Sequence, residues 1–225
     1  MTLALFDLDN TLLAGDSDHA WGEFLIRMGA VNPTCHAETN DHFYQEYVAG
    51  TLDIHAFCRF AFAPLAEHPR QQLEAWRERF LDEVIRPMIA PGAPALLERH
   101  RTAGDELIII TATNQFVTQP IADMLGVDRL IATLAEERED GEFTGELEGT
   151  PCFQEGKIVR LHQELADHAD PEATIAAATF YSDSRNDIPL LERVGRPVAV
   201  DPDPALDEHA RQRGWPRISL RQPEA

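Results

Sequence analysis

Leu3-Ala4-Leu5-Phe6-Asp7-Leu8-Asp9-Asn10-Thr11-Leu12 is the stretch from which the rest of the chain can be read. Four apolar residues that stop at an acid predict a short strand buried on both faces. Alternate residues of an extended strand point the same way, so the carboxylates of Asp7 and Asp9 reach one site at its carboxyl end. In open α/β sheets that end is where ligands bind. The plain alternative is a strand-end turn with local Asx hydrogen bonds.

Working outward, apolar runs predict further strands at 106–111, 129–133, 174–181 and 197–200. The third of these is ambiguous, because Ala176 to Ala178 also suits a helix. Helical spacing fills the gaps at 94–101, 115–125, 155–168 and 185–193, with Gly126 as a stop signal. Strand and helix in alternation predict an α/β fold, a doubly wound parallel sheet. Residues 16–87 break the alternation. They carry aromatics at helical spacing (Trp21, Phe24, Leu25, Met28; then Phe43, Tyr44, Tyr47) and no convincing strand. The expected organisation is a core of residues 1–15 and 88–225 with a helical insertion at 16–87. The acidic segment 136–149, with Asp140-Gly141 at its centre, predicts a solvated β-hairpin.

Composition narrows the function. Nineteen Lys and Arg against 39 Asp and Glu give 225 residues a net charge of −20. Nonspecific binding to nucleic acid or to an anionic membrane needs basic patches and is excluded as a main role. No apolar run approaches the ~18 residues of a membrane span. Cys35, Cys58 and Cys152 are odd in number and far apart, so free thiols in a reducing, cytoplasmic setting are expected.

Three more predicted strand ends or helix starts carry reactive side chains. Thr111-Ala112-Thr113-Asn114 offers a hydroxyl and helix N-terminal amides, an anion site or an ordinary cap. Lys157 follows Gly156 at a helix start, where a cation opposes the helix dipole unless an anion is near; the alternative is a solvated lysine. Asp183-Ser184-Arg185-Asn186-Asp187 places oxygen ligands suited to a hard cation, or forms an acidic capping loop. Taken together, acid pair, hydroxyl, lysine and second acid pair supply the parts of Mg2+-assisted phosphoryl transfer.

In that order the motifs resemble the haloacid dehalogenase superfamily of phosphatases. Its first motif, D-x-D-x-T, stands here as Asp7-Leu8-Asp9-Asn10-Thr11, and Thr111, Lys157 and the Asp183…Asp187 pair match the other three. The insertion matches the family's helical C1 cap. Its size and the Gly50-Thr51-Leu52-Asp53 stretch resemble subfamily IB, the phosphoserine phosphatase-like branch. Within it, Ala14-Gly15-Asp16-Ser17-Asp18-His19-Ala20-Trp21 and Ile110-Thr111-Ala112-Thr113-Asn114-Gln115-Phe116 are most similar to proteobacterial histidinol-phosphate phosphatases.

The resemblance implies Asp7 as nucleophile, forming an aspartyl-phosphate, and Asp9 as general acid and then base. For that role Asp9 needs a raised pKa, which crowding by carboxylates could supply. Thr111, the amide of Ala112 and Lys157 would hold the phosphoryl oxygens. Asp7, Asp183 and the backbone carbonyl of Asp9 would ligate Mg2+, with Asp187 acting through water or from behind. Asp16 stands where phosphoserine phosphatases keep an ammonium-binding acid. Their carboxylate-binding cap arginine falls at Ala61 here, with Arg59 two residues away. The implied partner is a small phosphorylated metabolite that carries an amine and lacks a carboxylate. Asp16, His19, Asn114 and Asn186 are the candidate substrate contacts, with Asp18 and Glu23 as further acids and Phe60, Phe62, Tyr44 or Trp21 as ring partners. A zinc site at His19, His36 and His42 is conceivable but lacks a tight ligand motif. A phosphoserine phosphatase, a phosphotransferase and a receiver-like phosphoacceptor domain are the competing readings. A large insertion after the first strand and a second acid two residues past the nucleophile both favour a hydrolase over a receiver. Nothing in the sequence fixes the oligomeric state.

Overall fold

The computed structural model describes residues 2–222; residues 1 and 223–225, the outer limits of the expected core, lie outside them. Seven strands form one sheet: β1 (Leu3–Phe6), β2 (Glu106–Asn114), β3 (Arg129–Glu137), β4 (Phe143–Glu148), β5 (Thr179–Ser182), β6 (Arg196–Val200) and β7 (Arg217–Ile218). Their spatial order is β4-β3-β2-β1-β5-β6-β7. Only the β3–β4 pairing is antiparallel. β1 is therefore central, and the chain reverses direction across the sheet beside it, where open α/β sheets place ligands.

Four helices, α1 (Ser17–Arg27), α2 (Pro33–Ala49), α3 (Ile54–Glu67) and α4 (Arg70–Phe80), lie between β1 and β2. α4 runs on through a wide turn at Leu81–Ile85 into the short α5 (Arg86–Met88). The chain leaves and re-enters the sheet region through paired strands of linker: Ala14 N donates to Met88 O at 2.6 Å and Ala90 N to Leu12 O at 2.9 Å. The remaining helices are α6 (Ala93–Ala103), α7 (Gln115–Leu125), α8 (Glu155–Glu164), α9 (Pro171–Ala177), α10 (Ile188–Leu191) and α11 (Pro204–Arg213).

The strands alternate between two cores. Ala4, Phe6, Leu107 and Ile109 face one cluster, which continues without a break into Trp21, Phe24 and Phe80 of the inserted helices. Leu3, Leu5, Ile108 and Ile110 face the other, under α8 to α11. This is the two-sided burial that continuous apolar strands imply.

Several local expectations change. The first strand ends at Phe6, and Leu8–Leu12 is a wide helical turn with Asn10 at φ 55°. Asp7 and Asp9 thus sit on a turn, not on alternate positions of a strand. β2 runs three residues past Thr111. The predicted strand at 174–181 is half helix: Asp170 caps α9 by accepting from Ala173 N at 3.0 Å, Pro171 starts it, and β5 begins at Thr179. The predicted helix at 185–193 is one tight turn, Arg185–Asp187, followed by α10. The hairpin forms, yet it is not simply solvated: Phe143 is buried, and a Cβ at Gly145 would stand 3.1 Å from Ala66 of α3. α11 and β7 were not anticipated, since their polar sequences lack an apolar run.

Candidate active site

Lys157 sits in the first turn of α8. Gln154, at φ 49°, turns the chain into the helix, and Gly156 lies so close to Pro151 that a Cβ there would be 2.0 Å from its carbonyl oxygen. The lysine is 3% exposed. Its Nζ donates to Asp7 Oδ1 at 2.8 Å and to Asp187 Oδ2 at 2.7 Å. Burial alone would lower its pKa; Asp187 and Asp7 reverse this and hold the ammonium well above its usual range. Asp187 also accepts from Ser182 Oγ at 2.7 Å.

Asp7 projects from the end of β1 with its other oxygen, Oδ2, buried and without a partner. Burial pushes its carboxyl up to about 7; Lys157 opposes this, and Asp187 and Asp9 reinforce it. Asp183 is fixed by Thr11, whose Oγ1 donates to Asp183 Oδ1 and accepts from Asp183 N, both at 3.1 Å. Burial, then Asp7 and Asp187, raise the Asp183 carboxyl well above the carboxylate range. One ammonium therefore pairs with Asp7 and Asp187, Asp183 stands beside them, and the site holds more acids than cations.

That excess is the test for a metal ion. Among the described residues no three His, Cys, Asp or Glu side chains gather into a cage. Asp7 and Asp183 offer carboxylate oxygens, while Asp187 is engaged by Lys157 and Ser182. A hard cation that keeps several waters and needs only one or two carboxylates suits this donor set. The unpartnered Asp7 Oδ2 and the charge imbalance both fit such an ion.

Asp9 is held from two sides. Ser17 N donates to its Oδ1 at 2.6 Å and Thr113 Oγ1 to its Oδ2 at 2.7 Å. Its carboxyl is pushed up to about 6, by burial first and by Asp16 second, against these hydrogen bonds. Burial thus outweighs the crowding by carboxylates expected from the sequence.

Asp7, Asp9, Thr111 and Ala112 line one cavity with Asp16 just before α1, Asp18 and His19 of α1, and aromatic residues of α2 and α3. About 530 Å³ within it, mouth included, is not filled by atoms. Asp16 caps α1 by accepting from His19 N at 2.8 Å. His19 is anchored to Asp41 at 2.9 Å. No lysine or arginine is among the lining residues, and neither Ala61 nor Arg59 reaches it. Asn114 and Asn186 stay outside: Asn114 caps α7 through Val117 N, and Asn186 bridges Gln154 Nε2 and Tyr47 O, each at 3.1 Å. The histidines of the inserted helices do not converge, since His36 stacks on Phe60 and His42 faces Glu46.

Ser17, Thr113 and Tyr47 were missed. Thr113 follows Thr111 on the same side of a strand, a signal hidden by ending that strand too early. Tyr47, in an aromatic cluster on α2, lines the cavity, and burial with Asp7, Asp183 and Asp187 nearby raises its phenol well above normal.

The chain is similar to known proteins over nearly its whole length. A histidinol-phosphatase of Neisseria meningitidis serogroup C (strain 8013) is 43% identical over 97% of this chain and 99% of its own. A crystal structure of a protein of unknown function from Bordetella pertussis Tohama I superposes with a TM-score of 0.90 at 47% identity, over 98% of this chain and 100% of that one. A phospho-aspartyl intermediate analogue of phosphoserine phosphatase shares the fold, at TM-score 0.70 and 19% identity over 99% and 94% of the two chains. Among the described residues no helix is long and apolar enough to cross a membrane. The family model for haloacid dehalogenase-like hydrolases matches residues 4–192, and with this span and these relatives the chain belongs to that family.

Proposed function

We propose that the protein is a Mg2+-dependent phosphomonoesterase that works through an aspartyl-phosphate on Asp7, with L-histidinol phosphate as its ester. The observation that carries this reading is the buried Asp7 carboxylate: Lys157 holds one oxygen, the other has no partner, and Asp7 lines an acid- and ring-walled cavity whose lining has no lysine or arginine.

Hydrolases of this family are generally metal-dependent. Asp7, Asp183 and the backbone carbonyl of Asp9 would hold Mg2+, which when bound supplies positive charge to the phosphoryl oxygens. The chain's own groups do the rest. A free oxygen of Asp7 attacks phosphorus and the ester P–O bond breaks. Asp9 gives its proton to the departing alkoxide, so the alcohol leaves neutral. Asp9, now a carboxylate, takes a proton from water, whose oxygen attacks the phosphorus of the acyl phosphate. The bond to Asp7 breaks, releasing phosphate and regenerating both acids. A carboxyl held at about 6 can serve in both directions near neutral pH. Thr111, the Ala112 amide and Lys157 favour the charge that builds on the phosphoryl oxygens.

The leaving group meets residues 16–87, which we assign as a cap domain on a core of 1–15 and 88–225. Asp16 suits an ammonium group. The lack of a lining arginine disfavours a substrate carboxylate and so favours histidinol phosphate over phosphoserine. The name of the Neisseria relative supports the same choice. A small-metabolite phosphatase of this kind belongs in the cytoplasm.

Phosphate release with Mg2+, measured on L-histidinol phosphate and L-phosphoserine with and without amino-alcohol acceptors, tests the proposal. A strong preference for histidinol phosphate, lost in Asp7→Asn because an amide is a poor nucleophile, is expected. A phosphoserine preference sinks the substrate assignment. More than a few percent residual turnover in Asp7→Asn sinks the mechanism.

A further inference from the structure

We infer that Asp18 is a specificity-determining residue. Together with the ring wall of Phe43, Tyr44 and Phe57 it forms a second cation subsite in the active-site cavity, separate from Asp16, and selects leaving groups that carry two cationic groups. The inference rests on the histidinol-phosphate reading and goes beyond it in assigning the distal group of the leaving alcohol to particular residues.

Asp16 and Asp18 both line the cavity, but in different situations. Asp16 is the cap of α1, and its Oδ1 is occupied by His19 N. Asp18 lies inside the first turn, and its carboxylate has no hydrogen-bond or ion-pair partner among the described residues. An acid in a first helical turn ordinarily complements the dipole from solvent. This one is half-buried and faces the cavity, and burial, then Asp16 and Asp9, drive it strongly toward its neutral form. No protein cation relieves it: the cavity lining contains no lysine or arginine, and His19 is anchored to Asp41. A ligand cation is the missing counter-charge.

The facing wall suits a flat cation. Phe43 and Phe57 meet edge to face at 5.5 Å, and Tyr44 packs against His19 with ring centres 5.0 Å apart. Aromatic faces attract a planar cation, more so when water is excluded. Asp7, whose second carboxylate oxygen has no partner, lines the same cavity, so the subsite and the phosphoryl position share one space.

The test compares kcat and KM of the wild type and Asp18→Asn on L-histidinol phosphate and on O-phosphoethanolamine, which has an ammonium group and no ring. Asp18→Asn is expected to raise KM for histidinol phosphate roughly tenfold, leave kcat within about twofold, and leave phosphoethanolamine unaffected. Asp16→Asn should weaken both esters. Equal effects of Asp18→Asn on the two esters, or no effect on either, overturn the subsite while wild-type preference for histidinol phosphate stands. A wild type that prefers L-phosphoserine overturns the parent reading and the subsite with it.

Discussion

At Lys157 a single ammonium, 3% exposed, is balanced by Asp7 and Asp187, themselves 3% and 2% exposed. Bringing these groups out of water is costly, and removing one member of such a set leaves the others uncompensated, at about 3–5 kcal/mol. Lys157→Met keeps the length and apolar stem while deleting the charge. We expect it to lower turnover at least ~100-fold, as loss of one charge-stabilising donor does. It should also lower the melting temperature, and by more at pH 8 than at pH 5.5. The sign follows from the acids. Burial already lifts Asp7 to about 7 with the lysine present. Without it the folded-state value rises further above the unfolded one, so the folded form is best tolerated where the acids hold protons and loses stability as pH rises through that range. Thermal melts of both proteins at the two pH values check this; an equal deficit at both would mean that the lysine acts by packing alone.

The inserted helices are not all equally independent of the sheet. α1 and the end of α4 bring Trp21, Phe24 and Phe80 into the same cluster as Phe6 and Ile109. Phe80 meets Trp21 at 5.1 Å and Phe24 at 5.4 Å, both edge to face. It is fully buried, so Phe80→Ala should destabilise the protein by about 3–5 kcal/mol, read by denaturant unfolding. Because Phe80 does not line the cavity, kcat at temperatures well below the melt should change little. Elements built on apolar runs, such as β1 and β6, could be found from the sequence because the sheet buries both of their faces. The border of α9 and β5 could not, since Ala176, Ala177 and Ala178 favour either state and the decision falls to the Asp170 cap and Pro171. Leu8–Leu12 reads as a strand end because nothing local demands the left-handed backbone that Asn10 adopts. The site divides in the same way. Asp7, Lys157 and Asp183 announce themselves by charge at element ends. Ser17 and Tyr47 act through contacts that only folding creates: a backbone amide on Asp9, and a phenol among acids from β1 and the loop after β5.

Across the whole molecule, two linker crossings tie the inserted helices to the sheet, and the acids that meet beneath them come from segments more than 170 positions apart. Folding therefore gathers Asp7, Asp9 and Asp183 into a buried site within a chain of net charge −20, where Lys157 offsets Asp7. The pH dependence of the metal-free protein should carry that signature. Asp7 at about 7 and Asp9 at about 6 both lie above the ordinary carboxylate value of 3.8. Between these limits the folded state binds more protons than the unfolded one, so stability declines as pH rises. His36, which burial holds below its usual value of 6.5, works in the opposite direction until its unfolded imidazole is neutral, so it tempers the fall below about pH 7 and leaves the decline above that to the acids. In chelator the melting temperature should fall from pH 6 to pH 8. A divalent cation competes with protons for the same oxygens, so added Mg2+ should raise the melting temperature more at pH 8 than at pH 6 and flatten the profile. Differential scanning calorimetry with and without the metal measures both slopes. A metal increment independent of pH would place the ion away from these acids, and Asp7→Asn, which removes one titrating group and one ligand together, should shrink both the slope and the increment.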